Sequence, residues 1–367
     1  MDMEARPAGI EEDLQLIDEM LSDCQLQSEL YRAGPYWEAN ARASAREIKA
    51  FGLANFRGMT NLIGQGFTDC VVLDWRNYLY RSGPLRRLFY VIAKHVFPIN
   101  RIIDNQVELT KNYFSRLTRH IEEELRLKQR TAELLERYRV PYSLLGGCVD
   151  KVAINGNQIA THYLNLLSQH DYVARHVDFA KVQSILEIGG GFGVNIHLLL
   201  TNYKNIRKIL YLDIPPNLYV GTQYLRAFYG DAVCDYREIK RRQSIAFSSD
   251  DKLEIFCITP WQIELLQNEV DVLINSHSFV EMPEAVVRNY ANKAFGCFNS
   301  PRTAIVLTSY DSLDRRTTLS PYDLPGFFDS RGDFIRFQAD HLIEPGVQDH
   351  YFVSAGQFAK RSAIVGS

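Results

Sequence analysis

The feature that most constrains this chain is residues 184–193, SILEIGGGFG. Ser184 to Ile188 reads as a short apolar strand, and Gly189, Gly190, Gly191 and Gly193 follow it before another apolar run. Glycine at such density lets a backbone turn sharply and pass close to a neighbour, because no Cβ intervenes. A strand, a glycine turn and then a helix over 192–200 is how a parallel sheet with crossover helices begins.

The rest of the chain extends that pattern. Residues 208–213, 253–258, 270–275 and 304–309 read as further apolar strands. Helices are expected from about 216 and over 283–298, with Pro283 in a first turn. Segments 334–337 and 351–358 suit a closing antiparallel pair. Near-continuous apolar strands alternating with helices imply a mostly parallel, seven-stranded sheet covered on both faces, a Rossmann-like α/β fold.

Upstream, the apolar spacing is helical. Ile10, Leu14, Ile17, Leu21 and Cys24 fall on one stripe, 36–51 forms a second helix ended by Gly52, and 85–97 a third. The third carries Arg86, Arg87 and Lys94, which fits a core helix with a basic solvent face or a helix lying on a membrane. The longest helix is expected over 101–137. Its Ile103, Val107, Phe114, Leu117 and Ile121 fit either a seam between copies of the chain or packing within one domain. Pro141 and Gly146-Gly147 then punctuate the chain. The expected organisation is a helical N-terminal domain, 1–145, and a catalytic α/β domain, 146–367.

Composition excludes several classes. The formal net charge is −3 and the pI about 6.3, so no strong positive field recruits nucleic acid. No run approaches the ~18 apolar residues a membrane span needs, and the acidic start lacks the apolar core of a signal peptide. The six cysteines show neither Cys-x-x-Cys nor Cys/His spacing, as expected of reduced thiols in a cytoplasmic protein with no zinc site.

Two details of the glycine turn bear on the ligand. A dinucleotide fingerprint is Gly-x-Gly-x-x-Gly; counted from Gly189, its last glycine falls on Val194. Glu187 precedes the turn by two residues, where a carboxylate repels a pyrophosphate but attracts a cationic amino-acid ligand such as S-adenosylmethionine (SAM). Asp213 ends the second strand, where a carboxylate takes the hydroxyls of a ribose; the alternative is a helix cap ahead of Pro215-Pro216. Ile214 sits beside it. Thr259 and Trp261, after the third strand, are placed to border the adenine, Trp261 alternatively being core. Asn275 and Ser276 end the fourth strand and are expected to shape the cofactor pocket.

His277 follows and is the leading general base, because an alcohol needs its proton removed as it attacks. Glu281 either orients the imidazole, binds a hydroxyl of the acceptor or caps the next helix. Tyr310 and Asp311, past the fifth strand, are candidate acceptor contacts. His162, in a stretch (156–163) read as a helix lidding the cofactor, is a candidate acceptor contact and a second candidate base. No carboxylate cluster argues for a metal.

LEIGGGFG at 186–193, LDIPPNLY at 212–219 with Gln223-Tyr-Leu225, and NSHSFVEMP at 275–283 together resemble the sugar O-methyltransferases of bacterial glycan and natural-product pathways. Weaker echoes lie at 36–37, 51–56 and 155–164. The resemblance implies a class I methyltransferase core with an accessory helical region, SAM as donor and a sugar hydroxyl as acceptor. The acceptor would be a nucleotide sugar, a glycan or a glycosylated natural product. The residues leave other readings open: methylation of another small-molecule hydroxyl or amine, a silent SAM-binding scaffold with the helical region as its working surface, or a dinucleotide-dependent oxidoreductase.

Overall fold

The computed structural model describes residues 9–58, 83–141, 144–148, 150–298, 302–310, 318–331, 333–343 and 346–360. The chain divides into two compact units, 1–14 with 39–164, and 15–38 with 165–367. Residues 15–38 of the helical N-terminal region thus group with the sheet, and 146–164 group with the helices.

Helix α1 spans Leu14–Gln25, and α2 spans Pro35–Phe51, ending where Gly52 takes a left-handed φ of 69°. In the first unit follow α3 (Pro84–Val96), α4 (Ile99–Leu127) and α5 (Gln129–Arg137). The periodicity predicts one helix over 101–137, but Lys128 is extended and separates α4 from α5, with no Gly or Pro to mark the break. Helix α3 turns its apolar stripe outward among the described residues. Leu85, Phe89 and Ile92 are exposed, while Tyr90 is buried and donates its hydroxyl to Asn100 Oδ1 at 2.6 Å, fixing which face points in. Most of the α4 stripe, including Val107, Phe114 and Leu117, lies outside the described side chains.

Strands β1 (Lys151–Ile154) and β2 (Asn157–Ala160) form an antiparallel hairpin. The expectation of a helix over 156–163 is corrected here. Asn155 and Gly156 both have positive φ, 52° and 79°, the geometry of a two-residue Asn-Gly hairpin turn, and helix α6 (Thr161–Val173) begins only afterwards.

Among the described residues the second unit holds an eight-stranded sheet. Its parallel strands are β3 (Ser184–Ile188), β4 (Lys208–Leu212), β5 (Val233–Cys234), β6 (Glu254–Ile258), β7 (Val272–Ser276) and β8 (Ala304–Tyr310). Strands β9 (Ile335–Asp340) and β10 (Gln348–Ser354) are the closing pair, β10 running antiparallel to both β8 and β9. The order is β5-β6-β4-β3-β7-β8-β10-β9. Seven of these strands are legible in the sequence; the eighth, β5, is a two-residue edge strand too short to leave a pattern. A dinucleotide fold runs 3-2-1-4-5-6. Counting β3 as first and leaving out the edge strand β5, the chain departs from that order by wedging its last, reversed strand between the fifth and the sixth.

Four crossover helices follow: α7 (Val194–Asn202), α8 (Pro215–Tyr229), the short α9 (Tyr236–Lys240) and α10 (Glu284–Phe295). One sheet face (Leu186, Ile188, Leu210, Leu273, Leu307) packs with Val287, Tyr290 and Ala294 of α10 in a single apolar cluster. The opposite face carries Glu187, paired across the ladder with Tyr211 and Ile274. An acidic side chain in the middle of a buried strand is costly unless something uses it.

Candidate active site

The parallel strands end on one edge of the sheet, and the glycine turn lies there. Gly189, Gly191 and Gly193 have φ of 75°, 63° and 80°. At Gly189 a Cβ would stand 2.1 Å from Ser278 Oγ, so the turn packs directly on the residues after β7. At Gly190 it would stand 2.7 Å from Glu187 Oε2. Gly191 is held on both sides by the end of β4. Asp213 Oδ2 accepts its N–H at 2.7 Å, and the Tyr211 hydroxyl donates to its carbonyl.

Both carboxylates here are buried, Glu187 1% and Asp213 6% exposed. Glu187 Oε1 accepts from Asn195 Nδ2 at 2.9 Å, while Oε2 has no hydrogen-bond partner in the structure. Asp213 Oδ1 accepts the Ile214 N–H at 2.7 Å, so each of its oxygens holds one backbone amide, and the Asn217 side chain bonds to the carboxylate as well. Burial pushes Glu187 up to about 7, outweighing the Asn195 amide. Burial likewise pushes Asp213 up to about 7, outweighing its backbone donors. A buried carboxylate oxygen without a donor, facing a turn free of side chains, fits a ligand that brings positive charge.

The segment after β7 carries the strongest local anomaly. His277 has φ 67° and ψ −28°, a left-handed conformation that histidine adopts at a cost. Its N–H donates to Thr308 O at 2.7 Å. Asn275, fully buried, secures the turn: Nδ2 donates to Ile188 O at 2.8 Å and to Ser278 Oγ at 2.6 Å, and Oδ1 accepts the Phe279 N–H at 3.2 Å. The end of β7 is thereby tied to the end of β3. Ser276, with Asn195 and Thr308, lines a cavity of about 30 Å³, room for water and not for a cofactor.

The carboxylate that meets the imidazole is Asp349 on β10, 3.0 Å from His277 Nε2 and 2% exposed. Gln169 Nε2 donates to Asp349 Oδ2 at 2.7 Å, and His341 Nε2 lies 3.0 Å from the same oxygen. Burial alone would raise the Asp349 carboxyl, but His277 and His341 more than offset it and hold it well below the usual carboxylate range. For His277, burial alone would depress the imidazole; the Asp349 charge and hydrogen bond outweigh it and leave its pKa raised. An ionised carboxylate only accepts, so the neutral imidazole carries its proton on Nε2 and keeps a lone pair on Nδ1.

Glu281 is engaged elsewhere. Its Oε1 accepts from the Tyr310 hydroxyl at 2.7 Å and its Oε2 from Trp37 Nε1 at 2.8 Å. Tyr310 stands opposite Asp349 across the β8–β10 ladder, with its ring centroid 5.5 Å from that of His277. His277, Glu281 and Tyr310 therefore come together, joined by Asp349, Gln169 and Trp37, which the sequence reading misses. Asp349 had one available signal, a lone acid in an otherwise buried strand, but it lies two residues before the expected strand start.

Among the other candidates, Thr259 is fully buried with its N–H and hydroxyl both directed to Gln262 Oε1, at 2.9 and 3.0 Å. Trp261 packs edge-on against Tyr236 with centroids 5.9 Å apart. His162 is the second residue of α6 and belongs to the first unit. Asp311 lies outside the described residues. Among the described residues no group of three or more His, Cys, Asp or Glu could hold a metal, and no helix is long and apolar enough to cross a membrane.

No family model matches the sequence, and no curated protein matches it. Solved structures similar to it include the mitomycin 7-O-methyltransferase MmcR (15% identity, TM-score 0.35, covering 54% of this chain and 56% of that one). Another is a SAM-dependent methyltransferase of Leishmania major (14%, 0.37, 61% and 82%). A third is human N-acetylserotonin methyltransferase in complex with SAM (15%, 0.32, 53% and 55%). The chain spans little more than half the length of the first and the third. These neighbours are methyltransferases by name, and similarity at this level shows no family for the chain.

Proposed function

We propose that the chain is a SAM-dependent O-methyltransferase acting on a sugar hydroxyl of a glycan, a nucleotide sugar or a glycosylated natural product. The observation that carries this reading is the His277–Asp349 pair, held by a left-handed backbone at the carboxyl end of β7 beside the glycine turn. A bound SAM supplies an electrophilic methyl group on a sulfonium. Glu187 and Asp213 would hold its cationic amino-acid part and its ribose, around the Gly189–Gly190–Gly191–Gly193 turn and Ile214. Asn275 and Ser276 would fix the wall between that turn and the base.

The acceptor hydroxyl would lie against His277 Nδ1. His277 Nδ1 would take the hydroxyl proton as the oxygen is methylated and the donor departs as the neutral thioether S-adenosylhomocysteine, and Asp349 would stabilise the resulting imidazolium through Nε2–H. Asp349 stays ionised throughout. Glu281 and Tyr310 would position the acceptor. The resemblance of residues 275–283 to sugar O-methyltransferases supports a sugar over other hydroxyls.

Calorimetric titration with S-adenosylhomocysteine, with NAD as control, tests the donor. Micromolar binding of the former and none of the latter is expected; the reverse overturns the reading. Screening glycosylated acceptors for a mass gain of one methyl group then tests the acceptor, and His277→Ala should abolish that gain while leaving S-adenosylhomocysteine bound.

A further inference from the structure

Residues 15–38 bring one more side chain to this site from far away in sequence. Within the sheet unit the segment is anchored at several points. Arg237 Nε donates to Glu19 Oε1 at 2.9 Å, and the Tyr236 hydroxyl donates to Asp23 Oδ2 at 2.6 Å. Further along, the Tyr31 hydroxyl donates to Glu264, which Lys293 also pairs at 2.5 Å. Gly34 lies against the ring of Pro283, where a Cβ would be 3.0 Å from its Cδ. The segment thus reaches Glu281 with its path set at several other points.

What Trp37 does there is specific. Its indole N–H is directed to Glu281 Oε2 at 2.8 Å, while the other Glu281 oxygen takes the Tyr310 hydroxyl, whose ring in turn faces His277. The indole is only partly buried, and its N–H is tied to Glu281 by a hydrogen bond. A large aromatic face beside a carboxylate that is already hydrogen-bonded matches carbohydrate: C–H groups of a pyranose pack on the ring, and its hydroxyls bond to the carboxylate's remaining lone pairs. An ammonium group is the other chemistry such a pair recognises. Two donors already on Glu281 weaken its pull on a cation, which favours the neutral polyol.

We propose that Trp37 is a specificity-determining residue of the acceptor site, its indole forming the wall on which the sugar ring packs while a hydroxyl is presented to His277. This rests on the methyl-transfer reading above.

The test uses the full chain saturated with S-adenosylhomocysteine and saturation-transfer NMR against methyl glycosides of hexoses and 6-deoxyhexoses, with phenol and ethanolamine as controls. A glycoside should bind the wild type. Trp37→Leu should weaken it about tenfold, and Trp37→Phe, which keeps a ring, about threefold or less. S-adenosylhomocysteine affinity should stay within about twofold in both, which separates a lost wall from a lost fold. Equal glycoside binding by wild type and Trp37→Leu overturns the proposal, as does binding of phenol or ethanolamine in place of every glycoside. Failure of the wild type to bind S-adenosylhomocysteine overturns the methyl-transfer reading instead, and the glycoside titration without it still decides Trp37.

Discussion

His277 Nε2 lies 3.0 Å from Asp349 Oδ1, and the carboxylate that makes this contact is almost completely buried. The pairing does two things at once. It fixes the imidazole tautomer, leaving Nδ1 as the basic atom, and it raises the pKa of the ring above its ordinary value against the opposing pull of burial.

The pH behaviour of His277 follows. The ring is a base only when unprotonated, so turnover should rise with pH through an apparent pKa above 6.5. Asp349→Asn removes the charge that raises it. The midpoint should then move to lower pH as burial dominates, and the plateau rate should fall roughly 10²–10⁴-fold because the tautomer is no longer enforced. NMR titration of the imidazole, assigned by its loss in His277→Gln, reads the shift without an acceptor. An unmoved midpoint would mean that Asp349 does not control the ring.

Glu187 and Asp213 predict a second pH dependence. Their pKa values, about 7 in the folded chain, lie above their ordinary values of 4.5 and 3.8. A raised carboxyl contributes stability that is complete below its unfolded pKa and lost as pH rises through the folded one. The unliganded protein should therefore lose stability between about pH 4.5 and 7.5, with His277 acting in the same direction at the upper end. The ammonium of the ligand's amino-acid part favours ionised Glu187, and its ribose hydroxyls, as donors, favour ionised Asp213, so S-adenosylhomocysteine should bind more tightly at pH 8 than at pH 6. Its binding near pH 7 should release roughly one proton in total. Calorimetry in two buffers of different ionisation enthalpy counts that proton; no release would mean the ligand does not meet these carboxylates.

How much of this was legible in the sequence depends on whether a signal was local. The glycine turn and the seven longer strands, the closing pair among them, each carry their pattern within ten residues, and the sheet contains them. Asp349, Gln169 and Trp37 reach the His277 turn only through β10, α6 and the segment 15–38. Nothing in their neighbours announces this, because the contacts are made by tertiary packing. The Asn155-Gly156 hairpin is the opposite case: a local signal was present, and the helical reading of 156–163 passed over it.

The backbone at His277 yields a stability prediction. A β-carbon in the left-handed region costs about 1–2 kcal/mol, and glycine escapes that cost. His277→Gly should therefore have a higher urea midpoint than His277→Ala, by an amount equivalent to about 1 kcal/mol after allowing for glycine's greater entropy when unfolded. Equal midpoints would show that the turn relaxes out of its left-handed geometry once the imidazole is gone.

Gly190 has a φ that is not left-handed, so space alone explains its glycine. A Cβ there would stand 2.7 Å from Glu187 Oε2 and 2.8 Å from Tyr211 Cε2. Both neighbours are held: Glu187 by Asn195, and Tyr211 by its hydrogen bond to Gly191 O. Gly190→Ala must displace both, and moving Tyr211 also releases the Gly191 carbonyl. S-adenosylhomocysteine affinity should fall at least tenfold, with the fold retained because the change lies at the end of the sheet and not inside it. In Gly190→Ala/Glu187→Ala the clash with the carboxylate is gone but so is the charge. If the role of Gly190 is to leave room for Glu187 to act on a cation, the double variant should bind no better than Glu187→Ala alone. If Glu187→Ala alone instead binds as tightly as wild type, Glu187 contributes only bulk, and the electrostatic account of the turn fails.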